Sequence, residues 1–309
     1  MLDQLFFAAP GTWLPAAVAG IFGLLIGSFL NVVIHRLPRM MQREADNYLA
    51  LDSESEGREA ARKLGSSVTS ITYVSEVPLP NTEPYNLTLP RSACPVCKHK
   101  ITASENIPVL SYLALGGKCS ECKTPISVRY PIVELITGAF SVVLIWQFGS
   151  GWLGLSTLLF TYLLIAMSFI DADTQFLPDT LTYPLLWAGL LANTMGLFVP
   201  LNEAVIGAVA GYLVLWIVRV FYQVVRKQEG MGGGDLILLA ALGAWLGWKM
   251  LPLIVLLSSF VGAVVGLSLI AFKGRDFQAK IPFGPYLAGA GWIALIYGNS
   301  ILQMWLQPH

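Results

Sequence analysis

Residues 230–247 read GMGGGDLILLAALGAWLG. Three consecutive glycines precede a lone aspartate, Asp235, and the aspartate opens an apolar run of helical length. An ionisable residue where a membrane helix begins is costly and by default marks a functional site. The glycines let the backbone bend tightly and leave room for another group to approach the carboxylate. A plainer reading competes, because Asp often caps the N-terminus of a helix and Asp235 stands close to where a cap belongs. The stretch alone leaves the two readings level.

That run has many companions. Of the 309 residues, 55% are hydrophobic and 12% charged, and the mean hydropathy is +0.64. The charged share is about half that of a typical soluble domain. Apolar segments fall at about 13–34, 132–148, 152–170, 181–199, 204–225, 235–249, 251–272 and 284–304. Several reach the roughly 20 residues that a bilayer crossing needs. The pattern predicts an all-α polytopic membrane protein with about eight transmembrane helices embedded in membrane lipid. The formal net charge is zero, so no polyanionic partner is implied and nucleic acid is not expected. The N-terminus carries Asp3 and no basic run, so the first apolar segment reads as a retained helix and not as a cleaved signal.

Charge placement sets an orientation. With the N-terminus outside, the inward-facing stretches are about 35–131, 171–180, 226–234 and 273–283. They hold 17 of the 19 Lys and Arg residues. Lys249 falls in an outward connection and Arg219 within the fifth span. The short loops follow the positive-inside rule, which predicts both termini outside and the long first loop in the cytosol. The chain then divides into a first transmembrane helix (1–34), a cytosolic block (35–131) and a membrane core (132–309).

The cytosolic block begins with a charged stretch, about 43–90, that reads as a helix followed by a Pro-containing linker. Its second part holds all the cysteines of the chain, in Cys94-Pro95-Val96-Cys97 and Cys119-Ser120-Glu121-Cys122. Two CxxC pairs at this separation resemble a zinc ribbon. Each pair forms a tight knuckle aiming two thiolates inward, and two knuckles complete a tetrahedral shell for Zn²⁺. Two structural disulfides are the alternative, and they need an oxidising compartment that a cytosolic loop lacks. A zinc held by four protein ligands is structural, with no position open for water.

The other unusual charges at a membrane edge lie in 170–179, IDADTQFLPD, between the third and fourth apolar segments. On this topology they share a side with Asp235. Neighbouring carboxylates cannot easily both ionise, so one keeps its proton and polarises a carbonyl while the other activates water. Three aspartates compete for the partnership. Asp171 directly ends an apolar run and lies deepest. Asp173 is roughly 200° further around a continuing helix. Asp179 follows Pro178 where a cap or first-turn role is simpler.

These residues carry a resemblance. The motifs GSFLNVVIHRLP (27–38), CPVC and CSEC, ENIPVLSYLALGGKC (105–119), RYPIVELITG (129–138), IDADTQFLPD, the glycine-rich run at 230–247 and IPFGPYLAGAGW (281–292) are similar, in order, to those of the bacterial type IV prepilin peptidases. That family comprises leader peptidase/N-methyltransferases of the GxGD aspartic peptidase class. The resemblance covers nearly the whole chain and is strongest to members serving type IV pili and type II secretion. It implies an inner-membrane enzyme that cleaves the short basic leader from prepilins and pseudopilins on the cytosolic side. It also implies N-methylation of the new terminal residue with S-adenosylmethionine as donor, although no residue here is assigned to that cofactor. The catalytic pair implied is Asp171 and Asp235; the zinc ligands implied are Cys94, Cys97, Cys119 and Cys122.

Some positions depart from the family or stand outside these roles. The family commonly has lysine two positions after the GxGD aspartate, where this chain has Ile237, and histidine is frequent where Thr174 stands. Glu54, Glu56 and Glu59 read as a solvated face, with attraction of the basic leader as the alternative. Asn31, His35 and Arg36 read as an interfacial anchor or as a wall of the cleft. Glu134 sits inside the second span and needs a partner, the nearest cation in sequence being Arg129. Competing readings of the whole chain are a transporter, a non-catalytic scaffold with a zinc module, and a presenilin-like protease cutting in mid-bilayer.

Overall fold

The computed structural model describes residues 9–64, 84–227, 231–273 and 282–306. Its α-helices, in chain order, are α1 (Trp13–Leu64), α2 (Leu110–Ala114), α3 (Arg129–Phe148), α4 (Trp152–Thr174), α5 (Asp179–Thr194), α6 (Leu201–Arg226), α7 (Gly233–Leu246), α8 (Leu251–Lys273) and α9 (Gly284–Leu306). Among the described residues there is no strand, only the isolated bridges Ala93–Lys100 and Lys118–Pro125. All eight apolar segments of the sequence lie largely in helices. Among the described residues, five helical stretches are long and apolar enough to cross a membrane: Trp13–Leu49, Arg129–Phe148, Trp152–Thr174, Leu201–Arg226 and Trp248–Phe272. The chain is a polytopic helical membrane protein, although five crossings by that measure fall short of the eight expected.

For one of the three missing spans, α7, the shortfall has a physical cause. α7 has only 14 residues, which is about 21 Å against a hydrocarbon core of about 30 Å. Nearly all its residues are buried, from Asp235 and Leu236 through Leu238–Leu246. A helix apolar on every face belongs in the middle of a bundle. Here α5 and α6 flank it most closely, with α9 and the start of α8 completing the wall. The carbonyls at its C-terminal end are met by Asn193 of α5, whose Nδ2 donates to Ala244 O (2.8 Å) and Trp245 O (3.1 Å). Asn193 Oδ1 in turn accepts from the backbone of Phe198 and Val199, both at 3.1 Å. The Trp245 indole sits where Gly189 leaves space, and its Nε1 donates to Leu185 O.

Elsewhere small residues set the packing, as expected where lipid gives helices no hydrophobic reason to associate. A Cβ on Gly27 of α1 would lie 2.7 Å from Glu134 Cα of α3, and Gly23 lies against Ser141 and Gly138. Gly207 of α6 and Gly243 of α7 face each other backbone to backbone. The apolar segment at 13–34 and the charged helix expected after it form one element, since α1 continues through Pro38 to Leu64. Proline usually kinks or ends a helix, but the Arg-, Glu- and Ala-rich sequence beyond it favours helix strongly. Residues 65–83, where the expected linker falls, lie outside the described residues.

Candidate active site

Asp171 sits in the last turn of α4, four residues before Gln175 closes the helix in the left-handed region (φ 56°). That turn sends Leu177 back into the bundle, 4% exposed. Leu177 is the wedge on which the site is assembled. A Cβ on Gly234 would lie 2.6 Å from Leu177 Cβ, and one on Gly284 would lie 3.2 Å from Leu177 Cδ2. Glycine at 234 lets the first turn of α7 close onto Leu177, and glycine at 284 lets the start of α9 close onto Leu177 and Asp171.

The same closure places both carboxylates. Gly284 N donates to Asp171 Oδ2 at 2.9 Å, so the N-terminus of α9 faces the anion as helix N-termini do. Asp235 is the third residue of α7, and the N-cap is Gly232 with no side-chain cap bond. The capping explanation of Asp235 is therefore removed. Asp235 Oδ1 is buried and has no hydrogen-bond partner. Asp171 and Asp235 are 4% and 9% exposed, and each lies within electrostatic reach of the other. A buried polar atom without a partner is rare in a native protein. Beside a second carboxylate it is an open position for a water or a peptide group.

The other candidates fall away from this pair. Asp173 is exposed and forms an ion pair with Arg129, whose Nη2 also donates to Phe169 O. Asp179 is an exposed first-turn residue of α5. Thr174 donates to Ile170 O within α4. Ile237 is half-buried on α7. Arg36 is not a free anchor: its guanidinium donates to Asn86 O (2.9 Å) and Pro90 O (2.6 Å), binding the 84–90 segment to α1. Asn31 donates to Tyr130 O, and His35 is exposed. The partner of Glu134 is not Arg129. Its Oε2 accepts the backbone N–H of Val109 at 2.8 Å. The side chains of Glu54, Glu56 and Glu59 lie outside the described residues.

Two features of the site carry no signal strong enough to assign them from sequence. Gly284 belongs to IPFGPYLAGAGW, a motif that contributes to the resemblance without a residue role. Arg219 reaches the glycine loop, with Nη1 3.8 Å from where a Cβ on Gly233 would lie. A cation inside an otherwise apolar span was the available signal for it.

The cysteines form a second centre. Each knuckle is closed in the same way, with Cys94 N bonded to His99 O and Cys119 N to Thr124 O. Lys98 (φ 62°) and Lys123 (φ 59°) occupy equivalent left-handed positions. The four Sγ atoms lie within 4.8 Å of one another, with Cys94–Cys122 at 3.7 Å and Cys97–Cys119 at 3.9 Å. A tetrahedron with Zn–S bonds of about 2.3 Å has edges of about 3.8 Å. The cluster fits a zinc ion. Glu105 ties the knuckles together by bonding Ser120 of the second, the backbone and hydroxyl of Thr102, and His99 of the first. These bonds hold its carboxyl down at about 2.

What the fold and these two centres define is a polytopic helical membrane protein with a buried pair of aspartates and a separate four-cysteine module. The profile described as "Bacterial Peptidase A24 N-terminal domain" matches residues 21–148, and that of the "Type IV leader peptidase family" matches residues 158–267. The chain is similar to the "Prepilin leader peptidase/N-methyltransferase" of Aeromonas salmonicida (51% identical, covering 95% of this chain and 94% of that one). It is similar to the protein of the same name from Pseudomonas aeruginosa (52%, covering 93% and 92%) and from Burkholderia pseudomallei (48%, covering 95% and 89%). No solved structure matches the chain. The chain belongs to the type IV leader peptidase family.

Proposed function

We propose that this protein cleaves the basic leader from prepilins and pseudopilins at the cytosolic face of the bacterial inner membrane and then methylates the freed amine. The observation that carries the peptidase reading is the buried pair Asp171 and Asp235, the first held by the Gly284 N–H and the second with Oδ1 open. Both lie in terminal turns of their helices, which fits a cut at the membrane surface better than one in mid-bilayer or a carboxylate in an ion path. One carboxyl, protonated, donates to the scissile carbonyl while the other takes a proton from water. The water oxygen adds to the carbonyl carbon, and the departing amine leaves with a proton.

Residues 132–309 form the peptidase core on this reading, 1–34 the first membrane helix and 35–131 a cytosolic zinc-binding block. Both termini lie outside. Cys94, Cys97, Cys119 and Cys122 hold a structural zinc, which fixes the knuckles and leaves no open coordination position. S-adenosylmethionine supplies the methyl group to the new terminal amine.

The test is incubation of the purified protein, in lipid, with a prepilin and methyl-labelled S-adenosylmethionine. Leader loss is read by mass and methyl transfer by label. Loss of the leader followed by label in the mature protein is expected. An intact prepilin with folded, zinc-loaded protein overturns the reading.

A further inference from the structure

The four-cysteine block meets the membrane core at a buried carboxylate. Glu134 of α3 is buried, and its Oε2 accepts the Val109 N–H at 2.8 Å. Arg129, the first residue of α3, pairs with the exposed Asp173 and marks the aqueous edge of that span. From Arg129 to Glu134 the helix rises by about 7.5 Å, and a helical side chain leans back toward the N-terminus. Val109 therefore lies just inside the edge of the span. It is also held in a backbone conformation that valine rarely adopts. Its φ is 60°, and the Leu110 N–H closes onto Pro108 O, which makes a γ-turn of the strained kind. Such strain persists where the surroundings impose it, and here the bond to Glu134 does.

That turn begins α2 and sets its faces. Tyr112 turns inward to the block: its Oη donates to Ile126 O at 3.4 Å, and its ring lies against Gly117. Leu110 and Leu113 are left outside, 64% and 68% exposed, with Ile107 exposed beside them. Residues spaced by three share a helix face, and a contiguous apolar row on a surface marks a contact. At the same level of α3, Ile132 and Leu135 are exposed as well. The backbone of the row is prepared for a place with little water. The N–H groups of Val109, Leu110, Ser111 and Leu113 bond to Glu134 Oε2, Pro108 O, Ile107 O and Val109 O. Irregular backbone is tolerated near hydrocarbon only when its polar groups are satisfied within the protein.

We propose that Ile107, Leu110 and Leu113 form a foot by which the four-cysteine block stands in the bilayer interface, among the upper parts of the acyl chains. Lipid is the occupant because α3 is a membrane span and the row stands at the depth of its own exposed aliphatic residues. That depth matches the roughly 5–10 Å to which interfacial helices bury their apolar face. The foot also sets a height. Arg129 bonds Phe169 O and the Asp173 carboxylate, on either side of Asp171 in sequence. The level of the foot in the membrane is thereby passed to the turn that carries Asp171. This holds whether or not the aspartates cut a peptide.

Photo-cross-linking of the full chain in lipid nanodiscs of phosphatidylethanolamine and phosphatidylglycerol tests it. p-Benzoylphenylalanine replaces Leu110, Leu113 or Glu121, the last an exposed residue of the second knuckle, and mass spectrometry identifies the adducts. Positions 110 and 113 are expected to capture lipid, and position 121 is not. Adducts from 110 and 113 that fall mainly on residues 65–83 of the same chain or on a second copy overturn the proposal, as do equal lipid yields from 121. Hydrogen exchange gives a second measurement. The double variant Leu110→Gln, Leu113→Gln is expected to exchange about tenfold faster than wild type over residues 109–115, by local opening of a segment that has lost its lipid contact. Leu110→Phe with Leu113→Phe keeps the wild-type rate. A glutamine variant that retains its zinc and exchanges at the wild-type rate overturns the proposal, because polar changes at a water-facing surface are close to neutral.

Discussion

Gly284 and Asp171, 113 positions apart in sequence, meet through a backbone N–H to carboxylate bond of 2.9 Å. The bond makes the start of α9 part of the aspartate pair. It also leaves no space at Gly284, where a Cβ would lie 2.7 Å from Asp171 Oδ2.

Gly284→Ala therefore pushes the Asp171 carboxylate aside without asking the backbone for an unusual conformation. Misplacing a reacting group by about 1 Å costs roughly 10²-fold in rate. Leader cleavage by this variant is expected to fall by about that factor in kcat, with zinc content and folding retained. Cleavage at the wild-type rate shows that Asp171 is not held by α9.

On the proposed mechanism, Asp171→Asn and Asp235→Asn each remove a group that carries a proton, and positioned acid–base groups contribute about 10²–10⁴-fold. Each variant is expected to lose cleavage by at least about 10³-fold while remaining folded and membrane-inserted. Asp173→Asn, which breaks only the exposed pair with Arg129, keeps substantial cleavage. A single-turnover assay on prepilin reads all three.

The zinc module separates from the peptidase chemistry. Replacing Cys94 and Cys97 by serine is expected to release the metal and to reduce methylation, because the block beside the membrane core loses its shape. Elemental analysis and both activities, measured on one preparation, check this. Stoichiometric zinc in the double variant rules out these ligands, and full methylation after zinc loss refutes the role given to the block.

Glu105 makes that block sensitive to acid. Its folded carboxyl titrates near 2 against an ordinary 4.5, so its stabilising contribution is complete above about 4.5. The contribution is lost as pH falls from there toward 2. Hydrogen-exchange protection factors in residues 99–120, with the intrinsic pH dependence of exchange divided out, are expected to fall more steeply between pH 5 and pH 3 in the wild type than in Glu105→Gln. The variant has no carboxylate to titrate.

Asn193→Ala removes four hydrogen bonds, two to carbonyls at the end of α7 and two from the backbone of Phe198 and Val199. At about 0.6 kcal/mol each within a membrane, the expected loss is roughly 2–3 kcal/mol, measured as a lower midpoint of detergent-induced unfolding. A loss below about 0.5 kcal/mol means that other groups satisfy those carbonyls.

The parts legible in sequence are those written in short-range spacing. Each CxxC fixes its own knuckle, and the apolar run after Asp235 fixes α7, because neighbouring residues alone decide both. Depth at the end of an apolar run separated Asp171 from Asp173 and Asp179, and burial agrees. What escaped depends on partners far along the chain. Glu134 bonds the N–H of Val109 and not Arg129, and backbone donors leave no compositional trace. Arg36 reads as an interfacial anchor until the carbonyls of Asn86 and Pro90 arrive from outside the helix. The continuation of α1 through Pro38 also went unread, since a proline is a usual stop and the strong helix formers beyond it are what carry the helix on.

The enclosure of α7 has a consequence for the bilayer. Membrane spans answer to lipid thickness by tilting, stretching or sorting, and the outer helices of this protein are exposed to that pressure. The helix carrying Asp235 is not, because its neighbours are protein on every side and Asn193 closes its far end. Membranes of different thickness can therefore tilt the outer helices while α7, and Asp235 with it, keeps its place among the helices around it.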